Sequence, residues 1–113
     1  MAAPAPGRVP GNAAEQVLAL VNPERVTVGC DPLAIDATLT TTAAADSAAM
    51  RAGSLSDPAV AAVAQGATDP AVVVAGWLDD ATDRAALLEC TRTAAGLGIT
   101  TGTGGPWWVL VLG

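Results

Sequence analysis

The six residues before the terminal glycine, Trp107-Trp-Val-Leu-Val-Leu112, are apolar at every position, and no other segment constrains the fold as strongly. Side chains of a strand point alternately to its two faces, so a strand wetted on one side alternates apolar with polar. A strand apolar throughout needs cover on both sides, as in a sheet held between layers of helix. Just upstream, Leu97-Gly-Ile-Thr-Thr-Gly-Thr103 reads as a second, β-branched strand, with Gly104-Gly105-Pro106 as the connecting turn. The stretch Ala59-Val-Ala-Ala-Val-Ala64 fits strand or helix by pattern alone; strand is the reading adopted. The expected fold class is α/β (α+β), a three-layer α-β-α sandwich with a small antiparallel sheet flanked by helices.

The helices announce themselves by their starts. Asp36 and Asp69-Pro70 carry the cap chemistry, a short acceptor side chain and, at the second site, a proline suited to the first helical position. From Asp36 the positions Leu39, Ala43, Ser47 and Met50 recur at helical spacing until Gly53 offers a stop. From Asp69 a helix carries Val72, Val73, Val74, Trp77 and Leu78, and a short helix follows from about Thr82 to Leu88. The first helix begins near Ala13, with Val17, Leu18, Leu20 and Val21 as its apolar face. Proline lacks a backbone donor and clashes inside a helix, so Asn22-Pro23 predicts a kinked or two-piece helix, restarting at Asn22 and ending near Gly29. Residues 1–11 hold three prolines and two glycines and are expected to form a flexible tail, leaving 12–113 as one domain. The opening Met1-Ala-Ala-Pro-Ala-Pro-Gly7 has neither the charged start nor the apolar stretch of a signal peptide. It reads as a mature terminus left after export, with Met1 added.

Composition bounds the function. The formal charge is −6, with 11 acidic residues against five arginines, so electrostatics disfavours a nucleic acid or an anionic membrane surface as partner, and no nucleic-acid partner is expected. No apolar run approaches the roughly 20 residues of a membrane span. There is no His, so Ser/His/Asp and Cys/His schemes lack their base. Cys30 and Cys90 lie sixty positions apart without CxxC spacing, which argues against zinc and for a disulfide or two free thiols. The disulfide is the preferred reading. Closing a loop of that length stabilises a fold by about 4 kcal/mol on the chain-entropy model, which matters in a core built from alanines and only three tryptophans.

The string Val17-Leu-Ala-Leu-Val-Asn-Pro-Glu-Arg-Val-Thr-Val-Gly-Cys-Asp-Pro-Leu-Ala-Ile-Asp36 resembles the opening of the CAP superfamily, the cysteine-rich secretory, antigen 5 and pathogenesis-related proteins, in its bacterial form VLxLVNxxRxxxGCxPLxxD. Further likenesses follow in order: Ser47-Ala-Ala-Met50, Val73-Val-Ala-Gly-Trp77-Leu, Arg84-Ala-Ala-Leu-Leu and Gly96-Leu-Gly98-Ile. The resemblance implies a secreted, extracellular domain and adds to the case for pairing Cys30 with Cys90. It also implies a cleft with two His and acidic partners able to bind a divalent metal. Here the His-containing loop is shortened to Gly53-Ser-Leu-Ser-Asp57, the Glu position falls near Ala61, and the second His aligns with Asp83. The expectation is therefore a cleft that has lost its metal and His residues.

Few candidate sites remain. Asp79, Asp80 and Asp83 form a dense acidic cluster of the kind that suits Ca²⁺ or Mg²⁺, against which stands their use as caps at a helix start. Trp107 and Trp108 point to opposite faces of one strand, so at most one can serve as a ligand platform while the other fills the core. Gly96, Gly98, Gly102, Gly104 and Gly105 lie in and between strands, not between a strand and a helix start, and read as packing and turn residues. No cofactor is implied. The expectation is a secreted, monomeric, non-catalytic domain that binds a protein or cell-envelope component. The alternatives are a carrier of a small apolar ligand such as a lipid or sterol and, third, a divalent-metal-dependent enzyme.

Overall fold

Among the described residues, three of the four helices start on a side-chain cap that the sequence spells out. In the computed structural model, which describes residues 8–113, α1 is Ala13–Thr27, β1 Ala34–Ile35, α2 Ala37–Arg51, β2 Val60–Gln65, α3 Pro70–Asp79, α4 Ala81–Leu87, β3 Ala94–Thr100 and β4 Trp107–Leu112. The expected terminus Met1–Gly7, most of the proposed tail, lies outside the described residues. Asp36 Oδ1 accepts the Leu39 N–H at 2.9 Å, Asp69 Oδ1 that of Ala71 at 2.9 Å, and Asp80 Oδ1 that of Asp83 at 2.9 Å. Each cap satisfies one of the donors a helix leaves open at its start, worth about 1 kcal/mol.

The first helix corrects the two-piece alternative of the sequence reading. It runs without interruption through Pro23, and Asn22 is not its cap. The Asn22 side chain instead bonds both backbone groups of Leu33, accepting its N–H at 2.8 Å and donating to its carbonyl at 3.1 Å. Pro23 and Ala19, one turn before it, are exposed, so the carbonyl left without a helical donor is open to water. Tertiary bonds from Asn22 and Arg25 on either side hold the segment in one piece and outweigh the lost helical bond.

The sheet runs in the order β1-β3-β4-β2. β2 and β3 flank β4 antiparallel to it, while the two-residue β1 pairs parallel with Ala94 and Ala95 of β3. The expected small antiparallel sheet is the β2-β4-β3 part, and β1 adds one short parallel partner that carries no periodicity to read. β4 is central and buried at all its positions. Trp108, Leu110 and Leu112 face Val17 and Val21 of α1, Val73 and Trp77 of α3 and Leu87 of α4, whereas Val109 and Val111 face Ala43, Leu39 and Met50 of α2. That is the three-layer sandwich. α2 presses so closely on β3 that a Cβ at Gly96 would collide with the Leu39 backbone, and one at Gly98 with the Ala43 carbonyl.

Candidate functional site

The most heavily tied part of the chain is the junction between the end of α1 and the segment that follows α4. Cys30, buried just past α1, and Cys90, just past α4, are joined in a disulfide, with Cα atoms 4.7 Å apart. Arg25 enters the same junction. Its four-residue spacing from Val17 and Val21 puts it on the buried stripe of α1, and it is fully enclosed. The guanidinium fork is spent on backbone carbonyls: Nε on Asp31 at 2.9 Å, one terminal nitrogen on Leu87 at 2.6 Å and Glu89 at 3.2 Å, the other on Arg92 at 2.6 Å. Burial lowers its pKa from the ordinary arginine value, while the charges of Asp31 and Glu89 oppose that shift. A lone Arg on an apolar stripe was the available signal for this clamp, which sequence reading did not single out.

Beside the junction lies an open groove of about 370 Å³. Ala59, Val60 and Ala61 at the start of β2 form one side, Ala85 of α4 the other, and Glu89 and Arg92 supply its charges. The Glu89 carboxylate accepts the backbone N–H of Thr91 at 3.2 Å and its hydroxyl at 3.1 Å. Those two bonds, and then the nearby charges of Arg92 and Arg25, hold it below the usual carboxylate range. The groove therefore offers small apolar walls, one guanidinium and one carboxylate already committed as an acceptor.

Asp57, immediately before the groove residue Pro58, belongs to a carboxyl pair with Asp46 of α2. Burial, followed by the hydrogen bond and charge of Asp57, pushes the Asp46 pKa up to about 6, and its Oδ2 is enclosed without a hydrogen-bond partner. Asp57 is held low, first by the Ala59 N–H at 2.9 Å and then by the Asp46 carboxyl. Of the two carboxyls, Asp46 is the one that holds its proton to higher pH.

The acidic cluster is arranged along a helix start. Asp79 and Asp80 are exposed, Asp80 caps α4, and Asp83 is half-buried, its pKa raised by burial and then by the charge of Asp80. Among the described residues, no three or more His, Cys, Asp or Glu side chains are grouped to hold a metal ion. The two tryptophans do take opposite faces of β4. Trp108 is fully buried and its indole N–H bonds the Ala67 carbonyl at 2.7 Å. Trp107 is 8% exposed and lies under the Arg51 guanidinium, 5.7 Å from the ring centre, so neither indole presents an open face to solvent.

The model of the cysteine-rich secretory protein family, CAP, matches residues 18–112. The chain belongs to this family. No curated protein matches it significantly in sequence. Among solved structures, an outer surface protein from Borrelia burgdorferi shares 16% identity at a TM-score of 0.75, over 91% of this chain and 92% of that one. Hookworm platelet inhibitor shares 14% at 0.71, over 94% of this chain and 71% of that one. A cysteine-rich secretory protein from Staphylococcus aureus shares 16% at 0.67, over 96% of this chain but only 40% of its own length. At such identities the likeness is one of fold. Of the positions that the resemblance sets against the CAP cleft, Ala61 lines the groove, Asp57 adjoins it, and Asp83 lies on α4 outside its lining.

Proposed function

We propose that this CAP domain works outside the cytoplasm, by binding a protein or cell-envelope component through the groove between β2 and α4, and that it is not an enzyme. The observation that carries the reading is the composition of the groove. Alanine and valine walls, an arginine and a carboxylate already bonded to Thr91 suit a contact surface with one anchoring charge. Nucleophilic catalysis needs an activated nucleophile with a base beside it, and the groove lining contains no Ser, Thr, Cys or His. The resemblance that sets Ala61 and Asp83 at those positions supports a loss of the family's His and acidic set. The disulfide favours an oxidising compartment.

The test is co-sedimentation with an isolated cell-envelope fraction, comparing the parent with Ala85→Arg, which fills the groove from an exposed position. Retention of the parent, and a drop of tenfold or more for the variant, is the expected result. Equal retention of the two removes the groove reading. Mass spectrometry of organic extracts from natively purified protein tests the carrier alternative, which a reproducible co-purifying lipid would establish instead.

A further inference from the structure

We infer that the opposite edge of the sheet is a docking site for an extended segment of another protein, which adds to β3 as a strand. This surface is independent of the β2–α4 groove. A sheet edge exposes a row of backbone donors and acceptors, and folds normally cover or disrupt it. The β2 edge is covered in part. On the β2 side the outward carbonyl of Val63 is taken by the Trp77 indole N–H at 2.9 Å, with α3 and α4 alongside.

On the β3 side the cover ends early. The Ala94 N–H and carbonyl both bond Gly113, so Ala94, and with it Gly96, Gly98 and Thr100, turn their backbone groups toward β4. Ala95, Leu97 and Ile99 therefore face outward. The Asp36 N–H takes the Ala95 carbonyl at 2.9 Å, after which the chain leaves the edge for α2. Among the described residues nothing bonds the outward N–H and carbonyl groups of Leu97 and Ile99. The space beside them is open: a groove of about 350 Å³ lined by Pro10, Ala14, Ile35, Leu97 and Ile99, with Glu15 its charged member. Ile35 there is 46% exposed.

Donors and acceptors in strand register next to an apolar trough specify an occupant: an extended backbone for the hydrogen bonds, with apolar side chains at alternate positions for the trough. Glu15 and the net charge of −6 add a Lys or Arg near one end of that segment. The same net charge sets two copies of this chain against each other and favours a foreign strand over self-pairing.

The probe is the peptide acetyl-Lys-Val-Thr-Val-Thr-Val-amide, titrated at low salt into the intact, disulfide-bonded chain and followed by amide NMR. The Leu97 and Ile99 amides are expected to shift and their hydrogen exchange to slow at least tenfold, with Gly96 and Gly98 unchanged. N-methylation of all valines and of all threonines must have opposite outcomes, one set abolishing binding and the other retaining it, because strand pairing uses every second N–H. Glu15→Lys, at an exposed position, should weaken the peptide several-fold, whereas Ala85→Arg, outside this groove, should leave peptide binding unchanged. Millimolar peptide that leaves both amides unmoved, or equal binding of the two methylated peptides, overturns the proposal. So does sedimentation showing a dimer with both amides already protected, which would assign the edge to a second copy.

Discussion

Arg25→Met tests whether the buried clamp holds the junction together. The substitution keeps much of the side-chain volume but removes four hydrogen bonds to carbonyls of Asp31, Leu87, Glu89 and Arg92. Bonds to a charged group contribute about 1.5–3 kcal/mol each, a gross loss of roughly 6–12 kcal/mol. Two effects oppose it. The guanidinium no longer has to be stripped of water, which returns several kcal/mol, and the carbonyls nearest the surface can find water instead. The expected net loss is about 3–4 kcal/mol, within the range for removing one partner of a buried charged network. Arg25→Lys keeps the charge but lacks the planar fork that reaches carbonyls on three sides, and should recover less than half. Urea unfolding of the oxidised protein, followed by tryptophan fluorescence, measures both. With a slope of about 1.5 kcal/mol per molar, the midpoint for Met should fall by about 2 M. A loss below about 1 kcal/mol, or a Lys variant equal to the parent, would refute the clamp.

Three further outcomes are expected. Replacing both Cys30 and Cys90 with Ser opens a loop with a sequence separation of 60 and should cost about 4 kcal/mol in the same assay; an unchanged midpoint would mean that the cross-link constrains nothing. Gly98→Ala drives a methyl into the Ala43 backbone and should destabilise by about 2–3 kcal/mol or more, whereas Gly76→Ala, within α3 and with nothing within 4 Å of the added carbon, should stabilise by about 0.5–1 kcal/mol. Opposite signs in thermal melts are the check. For Asp46, a folded pKa raised to about 6 means that the native state binds more protons than the unfolded chain between about pH 4 and 6. Its contribution is complete below the ordinary Asp value and is lost as pH rises through about 6. Asp46→Asn should therefore flatten the fall in melting temperature over that interval and be the more stable form at pH 7, by about 1 kcal/mol or less given its contact with solvent; parallel pH profiles would exclude the raised Asp46 pKa.

What was legible in the sequence was whatever chemistry acts within a few residues. Asp36 and Asp69-Pro70 mark helix starts because a cap and its target lie two or three positions apart. The run from Trp107 to Leu112 implies cover on both faces because alternation is built into a strand. The two-piece reading at Pro23 failed for the converse reason: the local rule was sound, but bonds to Leu33, Leu87 and Arg92, far along the chain, outweighed the lost helical bond. The same distance hid the groove. Its walls are small apolar side chains, with Glu89 and Arg92 at hand, from segments brought together as β2 pairs with β4 while Arg25 and the disulfide fix the segment after α4. It holds no Ser, Thr, Cys or His, so a scan for nucleophiles and their bases passes over it. The open edge at Leu97 and Ile99 escapes such a scan more completely, since the groups on offer are the peptide N–H and carbonyl that every non-proline residue carries. They become a site only because β1 stops after two residues, and the length of a neighbouring strand is a property of the fold, not of Leu97 or Ile99.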